Sequence, residues 1–379
     1  MKKLLPISLL ALLAACGGKD IESTEQKNIL ENLTYSVDTV VVDPGDELFN
    51  MGSGFRSQDL SEDQKRLFYF ENRPVKLVEV DLENLKLVSK TDFEKEGPNG
   101  IGNLVINLQL GPEDQIFALG FSEVGLFDKQ GKKHESLKIK PTGIDSNLAE
   151  DFIALYGNSI YDFSRKQFFS WPNPEFIEGS NLYRIDVVSE SAEKIPALEM
   201  EIIEKYIIKV SLDGNTMVFP PTVDLLFHEG KVLISCTAMS SLYEFDQESN
   251  SMKFIEVSHE LVPNVLTGEI NNNVSSEKDF IEEQKKVVSQ ISYMKPFWDT
   301  TRNMFLRLGM KTFMGENRDD PETYEFYLFA YDQEFNVVGE TRLEGMKKHL
   351  PLHFFKGGKL WAFVNVDDSL GFAVFTFDF

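Results

Sequence analysis

One recurring pattern limits what this chain can fold into. A short apolar strand ends in aspartate, a turn follows, and another strand begins. The pattern recurs at Leu77-Val78-Glu79-Val80-Asp81, Gly125-Leu126-Phe127-Asp128, Tyr183-Arg184-Ile185-Asp186, Tyr243-Glu244-Phe245-Asp246, Phe329-Ala330-Tyr331-Asp332 and Phe375-Thr376-Phe377-Asp378. The aspartates are spaced 47, 58, 60, 86 and 46 residues apart. An aspartate opening a turn accepts hydrogen bonds from backbone N–H groups two or three residues on, so these residues read as structural rather than catalytic. Each such strand has two partners upstream. For Asp246 they are Val223–Phe227 and Val232–Thr237; for Asp378 they are Leu352–Phe355 and Leu360–Val366. Turns with glycine separate them, at His228-Glu229-Gly230-Lys231 and Lys356-Gly357-Gly358-Lys359, and Gly111-Pro112-Glu113-Asp114 has the same place ahead of Asp128. A fourth strand follows the Asp turn, as at Leu85–Ser89, Lys253–Val257 and Val337–Thr341. Four-stranded antiparallel units at semi-regular spacing predict an all-β, six-bladed β-propeller over residues 33–379.

The two ends of the sequence fit each other. The sixth unit has three strands and stops at Phe379, and Thr34–Val42 is a lone strand before the first unit. Pairing the lone strand into the last unit completes the blade and closes the ring, which removes exposed sheet edges. The hairpin Ile207–Val210, Asp213-Gly214, Thr216–Phe219 leaves seven blades as the alternative. One segment breaks the β pattern. Ser276 followed by Asp279 three residues on is a helix start, and Phe280, Ile281, Val287, Val288 and Ile291 fall near one helical face. This predicts one inserted helix packed on the propeller and accounts for the 86-residue spacing.

Ahead of the repeats lies a leader. Lys2 and Lys3 precede a short apolar run, Leu4 to Leu13, and Leu13-Ala14-Ala15-Cys16 has the form of a lipobox. The expected processing removes residues 1–15 and lipidates Cys16, with residues 16–32 as a polar tether. Gly17 after the cysteine favours the outer membrane over the inner. Without Lys2 and Lys3 the chain carries 36 basic and 61 acidic residues, a net charge of −25. Such a surface repels phosphate backbones and anionic lipid headgroups, so nucleic acid is not an expected partner, and membrane attachment falls to the lipid. Cys236 is then the one remaining thiol. It sits in the apolar run Val232–Cys236 and reads as buried and inert.

With the lipobox, the segments Tyr35-Ser36-Val37-Asp38-Thr39-Val40, Asp43-Pro44-Gly45-Asp46 and Phe93-Glu94-Lys95-Glu96-Gly97-Pro98-Asn99-Gly100 carry a resemblance to the uncharacterised six-bladed β-propeller lipoproteins of Bacteroidetes. The resemblance covers the whole mature chain. It implies the propeller fold and an envelope location; it transfers no activity and no catalytic residues.

A meander places its 1–2 and 3–4 turns on one side and its 2–3 loops and blade connections on the other. Here the second set is long, over about 94–103, 141–151, 168–181, 196–222, 258–290 and 313–323. Long loops on a rigid scaffold are where binding usually sits. Within them the candidate ligand-binding residues are Trp171 and Phe176, in an aromatic, proline-braced run, Lys95 and Asn99 by the expected channel mouth, and Arg318 beside Asp319 and Asp320. Catalytic and cofactor motifs are missing: there is no nucleophile elbow, phosphate loop or dinucleotide fingerprint. His349 and His353 have metal-like spacing, but Pro351 between them breaks a common helical face, so no metal and no cofactor are expected. Asp43 to Glu47 reads as a solvated turn. The leading expectation is a lipid-anchored binding scaffold for a glycan or an envelope protein. The alternative is a glycan-active enzyme, a glycoside hydrolase or polysaccharide lyase, on the same propeller.

Overall fold

A computed structural model describes residues 28–50, 57–120, 123–137, 157–172, 179–316, 320–350 and 352–379. Six antiparallel meanders account for most of it, and we number these sheets 1 to 6 along the chain. Sheet 1 runs Gln58–Leu60, Arg66–Asn72, Val75–Asp81, Lys86–Asp92, and sheet 2 runs Val105–Leu110, Ile116–Gly120, Val124–Phe127, Lys133–Ser136. Sheet 3 is Gly157–Asp162, Gln167–Pro172, Asn181–Asp186, Ser191–Pro196; sheet 4 is Val223–His228, Lys231–Cys236, Leu242–Asp246, Ser251–Ile255. In sheet 5 the innermost position is split between Ser292–Tyr293 and Phe297–Asp299, followed by Met304–Phe313, Thr323–Tyr331 and Val337–Arg342. Sheet 6 has His353–Lys356, Lys359–Val366 and Ser369–Asp378, and its fourth strand is Thr34–Val41 from the other end of the chain, paired antiparallel from Thr34↔Asp378 to Val41↔Gly371. The expected pairing of first strand with last unit is therefore present.

Strand periodicity sets how the sheets stack. Successive side chains of a strand point to opposite faces. In sheet 1, Leu67 and Tyr69 pack with Trp361 and Phe372 of sheet 6, and the intervening Phe68 packs with Ile116 and Phe127 of sheet 2. Phe117 and Leu119 of sheet 2 meet Tyr161 and Phe168 of sheet 3, whose Phe169 turns to Val232 and Ile234 of sheet 4. Leu233 of sheet 4 meets Phe305 of sheet 5, whose Leu306 meets Leu360 of sheet 6. The second strand of each sheet is thus an apolar partition with a neighbour on both faces, which is why Arg66–Asn72, Gln167–Pro172 and Lys231–Cys236 are almost wholly buried. Six clusters link consecutive sheets, and one of them joins sheet 6 to sheet 1. Burying one Phe or Leu of this kind stabilises by about 1.5–3 kcal/mol. The outer strand Lys86–Asp92, by contrast, has no buried residue.

The Asp turns behave as expected. Asp81, Asp186 and Asp246 each accept backbone N–H groups two and three residues on, and Asp128 and Asp332 accept those two and four residues on. The side-chain amide of Asn84 together with these bonds at Asp81, and these bonds at Asp186 and Asp246, hold the three carboxyls below the usual carboxylate range. Asp162, out of phase in the sequence, caps the 1–2 turn of sheet 3 in the same way. The inserted helix is Glu277–Val288, with the Ser276 side chain accepting from Asp279 N at 3.1 Å.

Three expectations are corrected. A second short helix, Ile202–Lys205, lies in the connection between sheets 3 and 4. The hairpin behind the seven-blade alternative, Ile208–Leu212 with Asn215–Phe219, is no four-stranded unit. It pairs in parallel with Asn273–Val274, and its apolar face, at Ile208 and Val210, is covered by Phe280 and Val287 of the inserted helix. Finally, the fold begins before residue 33. Ile29 N donates to Val338 O, the Asn28 amide bonds the backbone of Glu340 in both directions, and Leu30 is fully buried beside sheet 5. Five residues assigned to the tether belong to the domain because Leu30 has a pocket to fill.

Candidate functional site

The first strand of each meander leaves one edge without a strand partner. Such an edge carries free backbone groups that need partners. The inner strands of sheets 1, 2, 3 and 4 contact one another in succession, as do those of sheets 5 and 6. Side chains from one inner strand satisfy the edge of the next. Asp59 of sheet 1 accepts Leu110 N of sheet 2 at 2.7 Å and its own neighbour Leu60 N at 2.9 Å. Gln109 of sheet 2 bonds both backbone groups of Tyr161 in sheet 3 at 2.8 Å, and Asn107 donates to Ser159 O. This explains why polar side chains stand in otherwise apolar inner strands.

Two charged groups of the inner strands, Asp224 and Lys295, do not share in this edge bonding. Asp224, second in the inner strand of sheet 4, is deeply enclosed by protein while still reached by water. Among the described residues no donor lies within hydrogen-bonding distance of it. Burial raises its carboxyl, opposed by Lys295 and Arg307. Burial likewise pushes Asp59 up to about 6, against the two backbone N–H groups and Lys295. Lys295 thus acts on carboxyls of sheets 1 and 4. Among the described residues no apolar cluster joins those two sheets. Pro296 explains the freedom of Lys295. With no N–H, proline interrupts the inner strand of sheet 5 between Tyr293 and Phe297 and biases Lys295 toward extended backbone. Among the described residues no carboxylate lies within ion-pair distance of Lys295.

Arg307 underlies this arrangement. It is fully buried, donates to Met294 O at 2.6 Å, Cys236 O at 3.1 Å and Ser240 O, and lies 5.1 Å from the centre of the Tyr293 ring. It clamps the 236–240 loop of sheet 4 to the segment that carries Lys295. His353, first in the inner strand of sheet 6, sits edge-on to Phe297, and burial lowers it to about 4, so it is neutral near pH 7. A second buried network links His259 to Glu340 at 3.1 Å and to the Tyr331 hydroxyl at 3.0 Å. Glu340 also accepts Glu260 N and Leu261 N, so this network fastens the loop after sheet 4 to sheet 5. His259 and Tyr331 are buried in it, while Glu340 at its end is partly exposed.

The residues singled out in the sequence are dispersed. Trp171 is buried, 6 % exposed, in the cluster between sheets 3 and 4, so its indole presents no open face for stacking. The described part of the proline-braced run that looked like a loop, Phe168 to Pro172, is the end of a partition strand. Lys95 is exposed, and its carbonyl accepts Gly102 N. Asn99 is half-buried and shapes its loop, accepting Lys133 N at 3.2 Å. Cys16, Phe176 and Arg318 lie outside the described residues. Cys236 is fully buried, and burial raises its thiol to about 11. Among the described residues no three His, Cys, Asp or Glu side chains group as metal ligands, and no helix is long and apolar enough to cross a membrane.

Meander sheets packed face to face in sequence order, with side chains of the inner strands lining what they enclose, define a protein of the β-propeller-like class. The sequence profile of DUF4221, a domain of unknown function, matches residues 26–342, and the chain belongs to that family. A crystal structure of a DUF4221 member from Bacteroides vulgatus is similar over 93 % of this chain and 99 % of that one, at 14 % identity and a TM-score of 0.67. A candidate exported protein from Bacteroides fragilis is similar over 93 % and 96 %, at 9 % identity and a TM-score of 0.55. No functionally curated protein matches the sequence.

Proposed function

We propose that this chain is an envelope-anchored binding protein, a six-bladed ring that takes its ligand on the long-loop side, where the inner strands begin. The observation that carries this reading is Asp224, an enclosed carboxyl raised by burial and opposed by the charges of Lys295 and Arg307, with no hydrogen bond or ion pair among the described residues. A fold that satisfies its inner edges through Asp59, Asn107 and Gln109 leaves this carboxyl, second in its inner strand, without such a partner. Groups held open in this way at a cost in burial belong to a binding site more readily than to a scaffold. The lipobox at Cys16 supports attachment to a membrane through lipid, and the exported description of the Bacteroides fragilis protein fits an envelope location, with the outer membrane favoured. The ligand is a glycan or an envelope protein.

A glycan-active enzyme is the second reading. Asp59, with its carboxyl near 6, has the proton affinity of a general acid, and Asp224 is a second raised carboxyl. The test is to incubate the purified full chain with neutral and acidic polysaccharides, with and without calcium, while recording melting temperature and released product. Stabilisation without product supports the binding protein. Released product that disappears in Asp59→Asn supports the enzyme. With neither signal, capture of an envelope protein that Lys295→Met abolishes keeps the binding reading, and its absence refutes both.

A further inference from the structure

A cleft of about 510 Å³ opens on the long-loop side, between the C-terminal turn of the inserted helix, residues 263–270 of the connection after sheet 4, and the strand Met304–Phe313 of sheet 5. Small-molecule clefts run from about 300 to 1,000 Å³. Its walls are held without a ligand. The Gln290 side chain, just past the helix, accepts Thr267 N at 2.8 Å and donates to Thr267 O at 3.0 Å and Lys286 O at 2.9 Å. The Tyr206 hydroxyl donates to Gly268 O at 3.1 Å, and the Tyr293 hydroxyl to Pro263 O at 2.8 Å. A Cβ added at Gly268 would meet nothing within 4 Å, so this wall faces open space. Buried Ile291 and half-buried Ile270, with Pro263, give the cleft an apolar lining.

Three charged side chains line the cleft, and they differ in what they already hold. The Lys286 ammonium donates to both carboxylate oxygens of Glu283 at 2.8 Å. Glu269 is exposed, and water solvates it. Lys311 is half-buried, its Nζ 5.4 Å from the centre of the Tyr327 ring. Glu325 stands opposite it on the neighbouring strand, but that carboxylate accepts from Arg342 at 2.9 Å and from the Tyr327 hydroxyl at 3.1 Å. Among the described residues no carboxylate lies within ion-pair distance of Lys311. A half-buried ammonium without a counter-ion favours a ligand that brings one. One such ammonium balances one negative charge, and Glu269 together with the net charge of −23 opposes any more. The apolar lining selects an apolar body behind the charged group. We propose that this cleft binds a monocarboxylate with an apolar body, its carboxylate on Lys311 and its body over Ile270 and Ile291. The site is separate from Asp224 and rests on the reading of the long-loop side as the binding face.

The experiment is calorimetric titration of the full chain at pH 7 with phenylacetate and octanoate. Phenylacetamide is the neutral comparison, phenethylamine the cationic one and phenyl phosphate the dianionic one. At least one carboxylate is expected to bind, at least tenfold more tightly than all three comparison probes, and more weakly as salt rises. Lys311→Met should weaken that binding at least tenfold, and Lys311→Arg should restore part of it. Ser289→Phe, which places a ring in the cleft, should abolish it. Far-ultraviolet circular dichroism and melting temperature of the ligand-free variants establish that they are folded. A comparison probe that binds as tightly as the carboxylates overturns the ligand class. Carboxylate binding that survives Lys311→Met or Ser289→Phe overturns the site. No binding by either carboxylate overturns the inference. The polysaccharide and capture experiment above does not depend on Lys311, so its outcome decides the broader reading separately.

Discussion

Replacing Arg307 by methionine is the sharpest test of how the inner strands are held. The arginine has no exposed surface, and its fork holds three backbone carbonyls, of Met294, Cys236 and Ser240, from two different sheets. Methionine fills much of the volume but donates nothing. Each buried carbonyl left without a donor costs about 1–3 kcal/mol. Some loop relaxation returns part of that, so the expected loss is about 3–5 kcal/mol, in the range for removing one member of a buried charged constellation. For a domain of this size that corresponds to a melting temperature about 4–7 °C lower. Urea unfolding followed by Trp fluorescence measures the loss directly, and an unchanged slope against urea shows that the same surface is still exposed on unfolding. Lysine at 307 keeps the charge but cannot reach three carbonyls in one plane, so Arg307→Lys should recover less than half of the loss. A loss below about 1 kcal/mol in Arg307→Met would refute the clamp.

Two groups give opposite pH signatures that single variants separate. Folded Asp59 keeps its proton up to about pH 6, whereas an unfolded aspartate releases it near 3.9. Folded protein therefore binds more protons between about pH 4 and 6, and stability falls as pH rises through that window, by about 2–3 kcal/mol. Asp59→Asn should flatten this component, read as the difference between wild-type and variant urea titrations; parallel profiles would contradict it. Folded His353 stays neutral down to about pH 4, whereas an unfolded histidine is protonated from about 6.5. Stability is then lost as pH falls from about 6.5 to 4, by about 3 kcal/mol, and His353→Gln should retain more stability at pH 4 than at pH 7 relative to wild type. Gly339 faces the N-terminal segment so closely that an added Cβ would stand 2.8 Å from atoms of Ile29 and Leu30. Gly339→Val should lift residues 28–33 from sheet 5 and speed proteolysis there while the rest of the fold persists; unchanged protection would count against the docking.

Local chemistry made much of the architecture readable. Asp246 and its relatives cap turns through their own backbone, and Ser276 caps its helix three residues away, so neither depends on distant contacts. Strand pairing at the two ends was readable because one unit lacked a strand and one strand lacked a unit. The candidate site was not. Asp59, Asp224 and Lys295 come from three separate parts of the chain, and a lone charge in a strand looks the same whether it faces bulk water or other inner strands. The usable signals were small: an acid inside the apolar Val223–Leu226 run, and Lys295 before a strand-breaking Pro296. Trp171 misled for a similar reason. Prolines and aromatics beside it suggested a loop surface, whereas its strand is sandwiched between two sheets and any large apolar side chain there is core.

The pairing of Thr34–Val41 with Ser369–Asp378 imposes an order of events. The segment that is made early must wait, unpaired, for a segment made much later. Until then the third strand of the final sheet lacks its neighbour, and Tyr35 cannot lie against Phe375 and Phe377. The first five sheets can form by local zippering as the chain emerges, but the ends meet only across the whole length of the domain, a slow step in loop-closure terms. A chain interrupted near its C-terminus would therefore present two complementary, unpaired edges. Joining such edges between molecules, rather than within one, is the route by which this fold would form linked chains instead of separate molecules.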